Sequence, residues 1–404
     1  MEPMRILAIC QHGWPEPHPA LSPMEEMVKR GHSVHAVTGM PNYPMGEFFP
    51  GYEHNRIKEE DHNGIHITHV PVIARKHDLF HRVLNYYSYP ISAKRKLLRL
   101  KDEYDVVFAT QSSPVMMAEP AIAYGKKRSK KVVVYCMDLW PASLCAGGIK
   151  RNSPLYRFYW KLSRKIYRNA DLILVTSRMF KEYLISEFDI PEDRIDYLPQ
   201  SASSVFNDIP QTENKGTTDF VFAGNVGIAQ NLGVILQAAK IIDDQNINDG
   251  GKKIVFHIVG DGVALESLQA FAKDNQLGNV VFHGRKPPDD MPRYYAMADA
   301  MLLTMMPDPI ISLTIPAKVQ SYMAAGKPIL ASAEGEVANI IRESRCGFCA
   351  RADDAQDFVE IIRKFISSEH KTEFGLNAKE YYQKNFAVES VMDKLETVLR
   401  DQVH

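Results

Sequence analysis

Apolar residues along this chain gather in short runs separated by stretches of helical spacing, and the alternation repeats almost from end to end. Apolar runs bounded by Gly, Pro, Asn and Asp read as buried strands, and the amphipathic stretches between them as helices. Strands are expected over 5–10, 34–38, 64–72, 105–110, 131–137 and 171–176, with a first helix over 22–30 closed by Gly31. That order implies βαβ units and a parallel sheet. A second series begins near 219, with strands over 219–224, 253–259, 280–283, 299–304 and 329–332. Helices fall over 231–242, 264–275 and 316–325, and 353–404 reads as helical throughout. The expected fold class is α/β: two doubly wound Rossmann-like domains facing a cleft, followed by a helical C-terminal segment. The first domain spans 1–200 and the second 217–375, joined by a polar, turn-rich segment over 199–216, and helices over 376–404 return toward the junction. Sheets of this kind bind ligands outside the carboxyl ends of their strands.

Composition adds limits. A chain of 404 residues with 45% hydrophobic and 24% charged residues fits a globular protein of two or three domains. No apolar run is long enough to cross a bilayer, and residues 1–5 lead straight into a strand, so a cytoplasmic location is expected. The five cysteines are scattered, and the pair Cys346 and Cys349 has no partner cluster, which reads as free thiols. The net charge of −1 conceals an imbalance. Residues 1–185 carry 27 Lys and Arg against 17 Asp and Glu, whereas 186–404 carry 21 against 32. A basic half of this kind suits an anionic surface or ligand, or is simply an unequal solvated surface.

The stretch most suggestive of chemistry runs from Met305 to Leu330. A strand delivers a loop, Ser312-Leu313-Thr314-Ile315-Pro316, to the start of a helix whose free N–H groups favour an anion, and Lys318 adds a full charge in its first turn. The same pattern also describes an ordinary strand-loop-helix unit with an exposed lysine. The loop after the first strand, 11–21, lacks a G-x-G-x-x-G, which argues against dinucleotide binding there.

Five further motifs recur in a fixed order: Gly224-Asn225-Val226-Gly227, Val259-Gly260-Asp261-Gly262, Val281-Phe282-His283-Gly284-Arg285, Tyr295-Ala296-Met297-Ala298-Asp299-Ala300 and the segment 318–328. Together they resemble nucleotide-sugar glycosyltransferases of the two-Rossmann-domain (GT-B) type, retaining family 4. The loop Thr38-Gly39-Met40-Pro41-Asn42-Tyr43-Pro44-Met45-Gly46 is similar to one in bacterial surface-polysaccharide enzymes. So is Asp138-Leu139-Trp140-Pro141-Ala142-Ser143-Leu144 with Gly147-Gly148-Ile149. The resemblance is strongest to O-antigen and capsule transferases that handle N-acetylated sugars such as N-acetyl-L-fucosamine.

The resemblance implies a retaining, metal-independent hexosyltransferase without a cofactor, its substrate a nucleotide sugar that is expected to carry UDP. The catalytic set would be Lys318, Arg285, Asp308 and Asp138. Donor contacts would come from Gly224, Asn225, Ser312, Leu313, Thr314, Ile315, Pro316, Gln320, Ser321 and Glu336. Acceptor contacts would come from Trp14, Glu16, Asn42, Tyr43 and Trp140, although Trp140 also reads as a core residue. The chain departs from the family pattern in three places. The two acids eight positions apart are replaced by Leu313 and Ser321, leaving Asp308 as a substitute and Gln320 or Ser321 to hold the ribose. The basic residues after the first strand of the second domain are absent, with Asn225 and Gln230 in their region. The Gly-Gly of the first loop is replaced by His18-Pro19-Ala20.

The acceptor implied is a polyprenyl-diphosphate-linked saccharide. Between Lys76 and Lys101, Leu79, Phe80, Val83, Leu84 and Tyr87 share a helical stripe surrounded by Arg and Lys. That pattern fits docking on the anionic inner face of the cell membrane, and equally a core-packing helix with a solvated basic face. A UDP-N-acetylhexosamine 2-epimerase of the same fold and a non-enzymatic nucleotide- or anion-binding module are the rival readings. No nucleic-acid-binding motif is present, so no nucleic-acid partner is expected.

Overall fold

The computed structural model describes residues 2–76, 78–145, 148–207, 209 and 216–403. Gly147 of the expected motif and most of 208–215 in the expected linker lie outside the described residues. The chain divides into two compact units, Met1–Leu198 with Met392–His404, and Pro199–Val391.

The first unit contains β1 (Arg5–Ile9), α1 (Ser22–Lys29), β2 (Ser33–Gly39), β3 (Lys58–His62), β4 (Ile65–Val70), α2 (Leu79–Leu97), β5 (Val106–Gln111), α3 (Glu119–Arg128), β6 (Val132–Cys136), α4 (Pro154–Tyr167), β7 (Leu172–Val175), α5 (Arg178–Phe188) and β8 (Ile195–Tyr197). The sheet order is β3-β4-β2-β1-β5-β6-β7-β8. Every pairing is parallel except that of β3 with β4. The central strands are buried on both faces, which is why they read as unbroken apolar runs. The edge strand β3 escaped the sequence reading because Lys58-Glu59-Glu60-Asp61-His62 holds no apolar residue. Its signal was the Asn63-Gly64 turn, where both residues take positive φ and reverse the chain into β4.

The second unit contains β9 (Thr217–Ala223), α6 (Gly233–Asp244), β10 (Lys253–Val259), α7 (Leu265–Asp274), β11 (Val280–Gly284), α8 (Met291–Met297), β12 (Ala300–Thr304), α9 (Ala317–Ala324), β13 (Ile329–Ser332), α10 (Glu336–Ser344), β14 (Gly347–Ala350), α11 (Ala355–Ile366) and α12 (Lys371–Asn385). Its sheet, β11-β10-β9-β12-β13-β14, is parallel throughout. Two doubly wound α/β units are therefore present, as the periodicity implied. Phe220, Phe222 and Phe256 from the strands pack with Leu236, Phe358, Ile362 and Phe365 from α6 and α11 into one core.

The tail is helical, as expected. After α11 and α12, a third helix, α13 (Val388–Asp401), carries residues 392–401 into the first unit. There Arg30 pairs with Asp393 at 2.6 Å and Lys394 with Asp196 at 2.8 Å. All five cysteines are free thiols. Among the described residues no helix is long and apolar enough to cross a membrane.

Phe358 is fully buried where α11 meets the second sheet. Its replacement by alanine should destabilise that unit by about 3–5 kcal/mol. Denaturant unfolding should show the second unit's transition displaced and the first unit's unchanged.

Candidate functional site

In the second unit the loops after β9, β10, β12 and β13 lie along one edge of the sheet. Two glycines set how closely these loops pack. A Cβ on Gly260 would stand 1.8 Å from the Gly224 carbonyl oxygen, so the β9 and β10 loops meet backbone to backbone only because no side chain intervenes. Hydrogen bonds from Val226 N to Asp261 O (2.9 Å) and from Ala264 N to Val226 O (3.0 Å) fasten them. A Cβ on Gly335, where φ is +65°, would stand 2.1 Å from the Ser312 carbonyl oxygen, which brings the β12 loop against the start of α10.

Lys318 lies in the first turn of α9 and reaches toward the β9 loop. A Cβ built on Gly224 would meet its Nζ at 3.1 Å, and the Nζ stands 3.8 Å from the centroid of the Phe222 ring. This nitrogen is buried and, among the described residues, no atom accepts a hydrogen bond from it. The ring face offers only partial compensation. Burial lowers the lysine from 10.5 to about 7. Behind it, the Tyr322 hydroxyl accepts from Ala223 N and donates to Ala223 O, each at 3.1 Å, which fixes the end of β9 to α9. Gly224 and Asn225 are exposed beside the lysine, and the Asn225 amide donates to Gln230 Oε1 at 3.3 Å.

Several expected donor contacts are engaged elsewhere. Asp308 Oδ1 accepts from Ile310 N (2.8 Å) and Ile311 N (2.9 Å), nucleating a turn. The N–H groups of Ser312, Leu313 and Thr314 close that turn on the carbonyls of Asp308, Ile310 and Ile311. They are therefore not free for an anion, and Asp308 spends one carboxylate oxygen as a turn cap. Pro316 precedes α9 rather than beginning it, and Ile315 is buried. Gln320 is also buried. In the amide orientation that satisfies both its oxygen and its nitrogen, it donates to the carbonyls of Pro316 and Ala317. Ser321 Oγ donates to Ala317 O at 3.3 Å, so both proposed ribose ligands fold back on their own helix. Glu336 is buried in the first turn of α10, and Arg285 is exposed just past β11.

In the first unit, the Glu16 carboxylate joins two loops. Its Oε1 accepts from Asn42 N (2.6 Å) and Tyr43 N (2.7 Å), while Oε2 lies 2.6 Å from His12 Nδ1. Glu16 and Asn42 thus build the loop, and Asn42 Oδ1 also receives Arg75 N at 2.7 Å. His12 was missed by the sequence reading, since a lone histidine after a strand carries no motif. His18 stacks on His12 at 4.8 Å, and burial together with His12 lowers His18 to about 4. Tyr43 packs against His12, and Trp14 stacks on His62 at 3.7 Å. Trp140, a candidate stacking face, is instead a core residue, its ring edge-on to Tyr86 and Tyr159. Its Nε1 donates to Ser113 Oγ (2.9 Å), and that hydroxyl donates to the Asp138 carboxylate. Burial raises the Asp138 carboxyl. Asp138 and Trp140 together brace the loops after β5 and β6.

Comparison with known sequences finds two profiles. The one described as "Glycosyltransferase Family 4" matches residues 24–201, and "Glycosyl transferases group 1" matches 206–383. A chain named "Probable glycosyltransferase WbjE", of Pseudomonas aeruginosa, is 27% identical over 311 residues, 73% of this chain and 74% of that one. A chain named as colanic acid biosynthesis glycosyl transferase WcaI of Escherichia coli is 20% identical over 392 residues, 91% of this chain and 92% of that one. Among solved structures, sucrose-phosphate synthase from Thermosynechococcus elongatus superposes with a TM-score of 0.73 at 14% identity, covering 98% of each chain. Anabaena HepE in complex with UDP and glucose gives 0.67 at 13% identity, over 98% of this chain and 99% of that one.

The buried ammonium has a consequence for stability. In the unfolded chain Lys318 titrates at its ordinary value, so the folded state binds fewer protons between about 7 and 10.5. The cost of burying the charge is therefore full below about 7 and fades as pH rises toward 10.5. Lys318→Met should raise the stability of the ligand-free protein at pH 6 and have little effect near pH 10, as read from thermal unfolding across that range.

Proposed function

This chain belongs to the group 1 and family 4 glycosyltransferases, with the GT-B fold, and from that premise we propose that it moves a sugar from a UDP-sugar to a lipid-linked saccharide in surface-polysaccharide assembly. The reaction retains configuration at the anomeric carbon and uses neither metal nor cofactor. The donor sugar is N-acetylated, of the N-acetyl-L-fucosamine kind, a reading that rests on the 38–46 and 138–144 motifs. UDP is favoured by its presence in the HepE complex, and polysaccharide assembly by the name of WcaI. The acceptor carries a polyprenyl diphosphate, and the protein works peripherally on the inner face of the cell membrane.

Lys318 carries the argument. A buried ammonium with no hydrogen-bond acceptor costs several kcal/mol unless an anion meets it. A diphosphate at the Gly224 loop supplies that anion, and the exposed Gly224 backbone admits it closely. The first N–H groups of α9 have no partner within the helix and add to the attraction. As the bond from the anomeric carbon to phosphate breaks, its electron pair passes to the diphosphate, where Lys318 stabilises the growing charge. The acceptor oxygen bonds to the same face of the carbon, and its proton passes to the leaving phosphate oxygen. Arg285 adds diffuse positive charge, and Glu336 takes hydroxyls of the donor sugar.

Calorimetry with UDP and no added metal tests this. Lys318→Met should weaken binding by about a hundredfold, the scale expected when one partner of a buried pair is removed. In the wild type the bound anion raises the lysine above its free value of about 7. Affinity should therefore be level below that pH and fall up to about tenfold per unit above it. The variant should lose this slope. A wild type indifferent to UDP at pH 6–7, in a folded sample, would sink the reading.

A further inference from the structure

The helices that follow β4 and β6 expose apolar side chains at their N-terminal ends. On α2, Leu79 is 73% and Phe80 68% exposed, and on α4 Leu155 is 49% and Phe158 55% exposed. Val83 and Ile91 continue the exposed row on α2, spaced so that Phe80, Val83, Tyr87 and Ile91 share one face. The two helices touch through Tyr87 and Tyr159, whose hydroxyls lie 3.3 Å apart, and Phe158 packs against Tyr159 with ring centroids 5.3 Å apart. Two helices that meet at this tyrosine pair thus each present exposed apolar side chains at their N-terminal ends.

The two segments are rich in cations, some of them paired with acids of neighbouring elements: Lys94 with Glu119, Lys96 with Glu59, Arg151 with Glu187 and Arg164 with Asp189. Residues 75–99 contain seven Lys and Arg against one Asp, and 150–168 contain seven against no acid. Asp78 is already engaged, capping α2 and meeting His81 at 2.7 Å. Arg82, Arg157, Lys161 and Lys165 are exposed and make no ion pair among the described residues. Exposed apolar side chains accompanied by these unpaired cations match the anionic headgroups and acyl boundary of a bilayer.

Topology then fixes the orientation. Helices that cross over between parallel strands run against them, so the N-termini of α2 and α4 lie at the carboxyl edge of the sheet. The His12–Glu16–Tyr43 cluster sits at that same edge. The structure assigns α2 and α4 together as the surface by which the first unit docks on an anionic lipid bilayer, with its ligand edge turned toward the membrane. The assignment rests on the lipid-linked acceptor proposed above, and it explains how such an acceptor reaches the first unit without leaving its membrane. The sequence pattern pointed to α2 alone; the α4 half comes from the structure.

The test is co-sedimentation of the full chain with vesicles of phosphatidylcholine, with and without 30% phosphatidylglycerol (about a third anionic lipid, enough to set a negative surface potential). The wild type should bind the anionic vesicles at least about tenfold better than neutral ones, and added salt should weaken that binding. Phe80→Glu and Phe158→Glu should each lower it about tenfold or more, whereas Leu376→Glu, on an exposed apolar residue of the second unit, should not. UDP calorimetry on the same samples reports folding and tests the transferase reading separately. UDP binding without vesicle binding would overturn the docking surface and leave the transferase. Vesicle binding without UDP binding would leave the surface and remove the transferase. Loss of binding with Phe80→Glu but not with Phe158→Glu would overturn the two-helix surface. Self-association in place of vesicle binding, abolished by Phe158→Glu, would mean that a second copy covers these side chains, and would overturn the lipid assignment.

Discussion

The second unit is arranged around a cation that no hydrogen-bond acceptor among the described residues answers. Lys318 is held over the Phe222 ring, behind a glycine-only contact between the β9 and β10 loops, at the start of a helix tied to β9 through Tyr322. Each of these features serves the same end. The ring and the helix restrict where the ammonium can go, and the absence of a Cβ at Gly224 leaves the space in front of it open. The cost of burying the charge appears as a lysine lowered to about 7. Such a cost is tolerated when the compensating charge arrives with a ligand.

The first unit uses its buried charge in the opposite way. Glu16 is fully engaged, its carboxylate drawing the 38–46 loop onto the loop after β1 and orienting His12. Asp138 likewise binds Ser113, which in turn holds Trp140. These carboxylates shape the ligand edge and present none of their own charge to it. What the edge offers is aromatic and imidazole surface from the partly exposed His18 and Tyr43, packed on the buried His12. This surface is suited to the hydroxyls and ring faces of a saccharide more than to a phosphate.

Much of this was legible from sequence. Parallel strands buried on both faces are unbroken apolar runs, so the two α/β units and most of their strands followed from periodicity. The strand-loop-helix at 299–325, with Lys318 in the first turn of its helix, followed from helix-end signals. What failed was local hydrogen bonding. Nothing in Ser312-Leu313-Thr314 announces that its N–H groups are taken by a turn nucleated by Asp308, because the competition is settled in three dimensions. Gln320 and Ser321 were assigned by their position relative to a family pattern, yet with short or amide side chains they satisfy themselves within α9. His12 was invisible for the converse reason: its partner, Glu16, matters only once the loop after β1 has folded. The charged strand β3 defeated a hydrophobic-pattern search, although its Asn63-Gly64 turn was there to be read.

The charge imbalance between the halves of the chain follows from two kinds of electrostatics. A basic first half acts on anions through many exposed cations, each weak and screened by salt. The second half is net acidic, so its average field opposes an approaching nucleotide diphosphate. The binding proposed there requires a short-range contact strong enough to outweigh the field, which is what one desolvated ammonium, unscreened by water, would provide. The same balance limits adventitious binding: the average field of this half disfavours a phosphate far from Lys318, and one beside it meets a charge that no hydrogen-bond acceptor among the described residues answers.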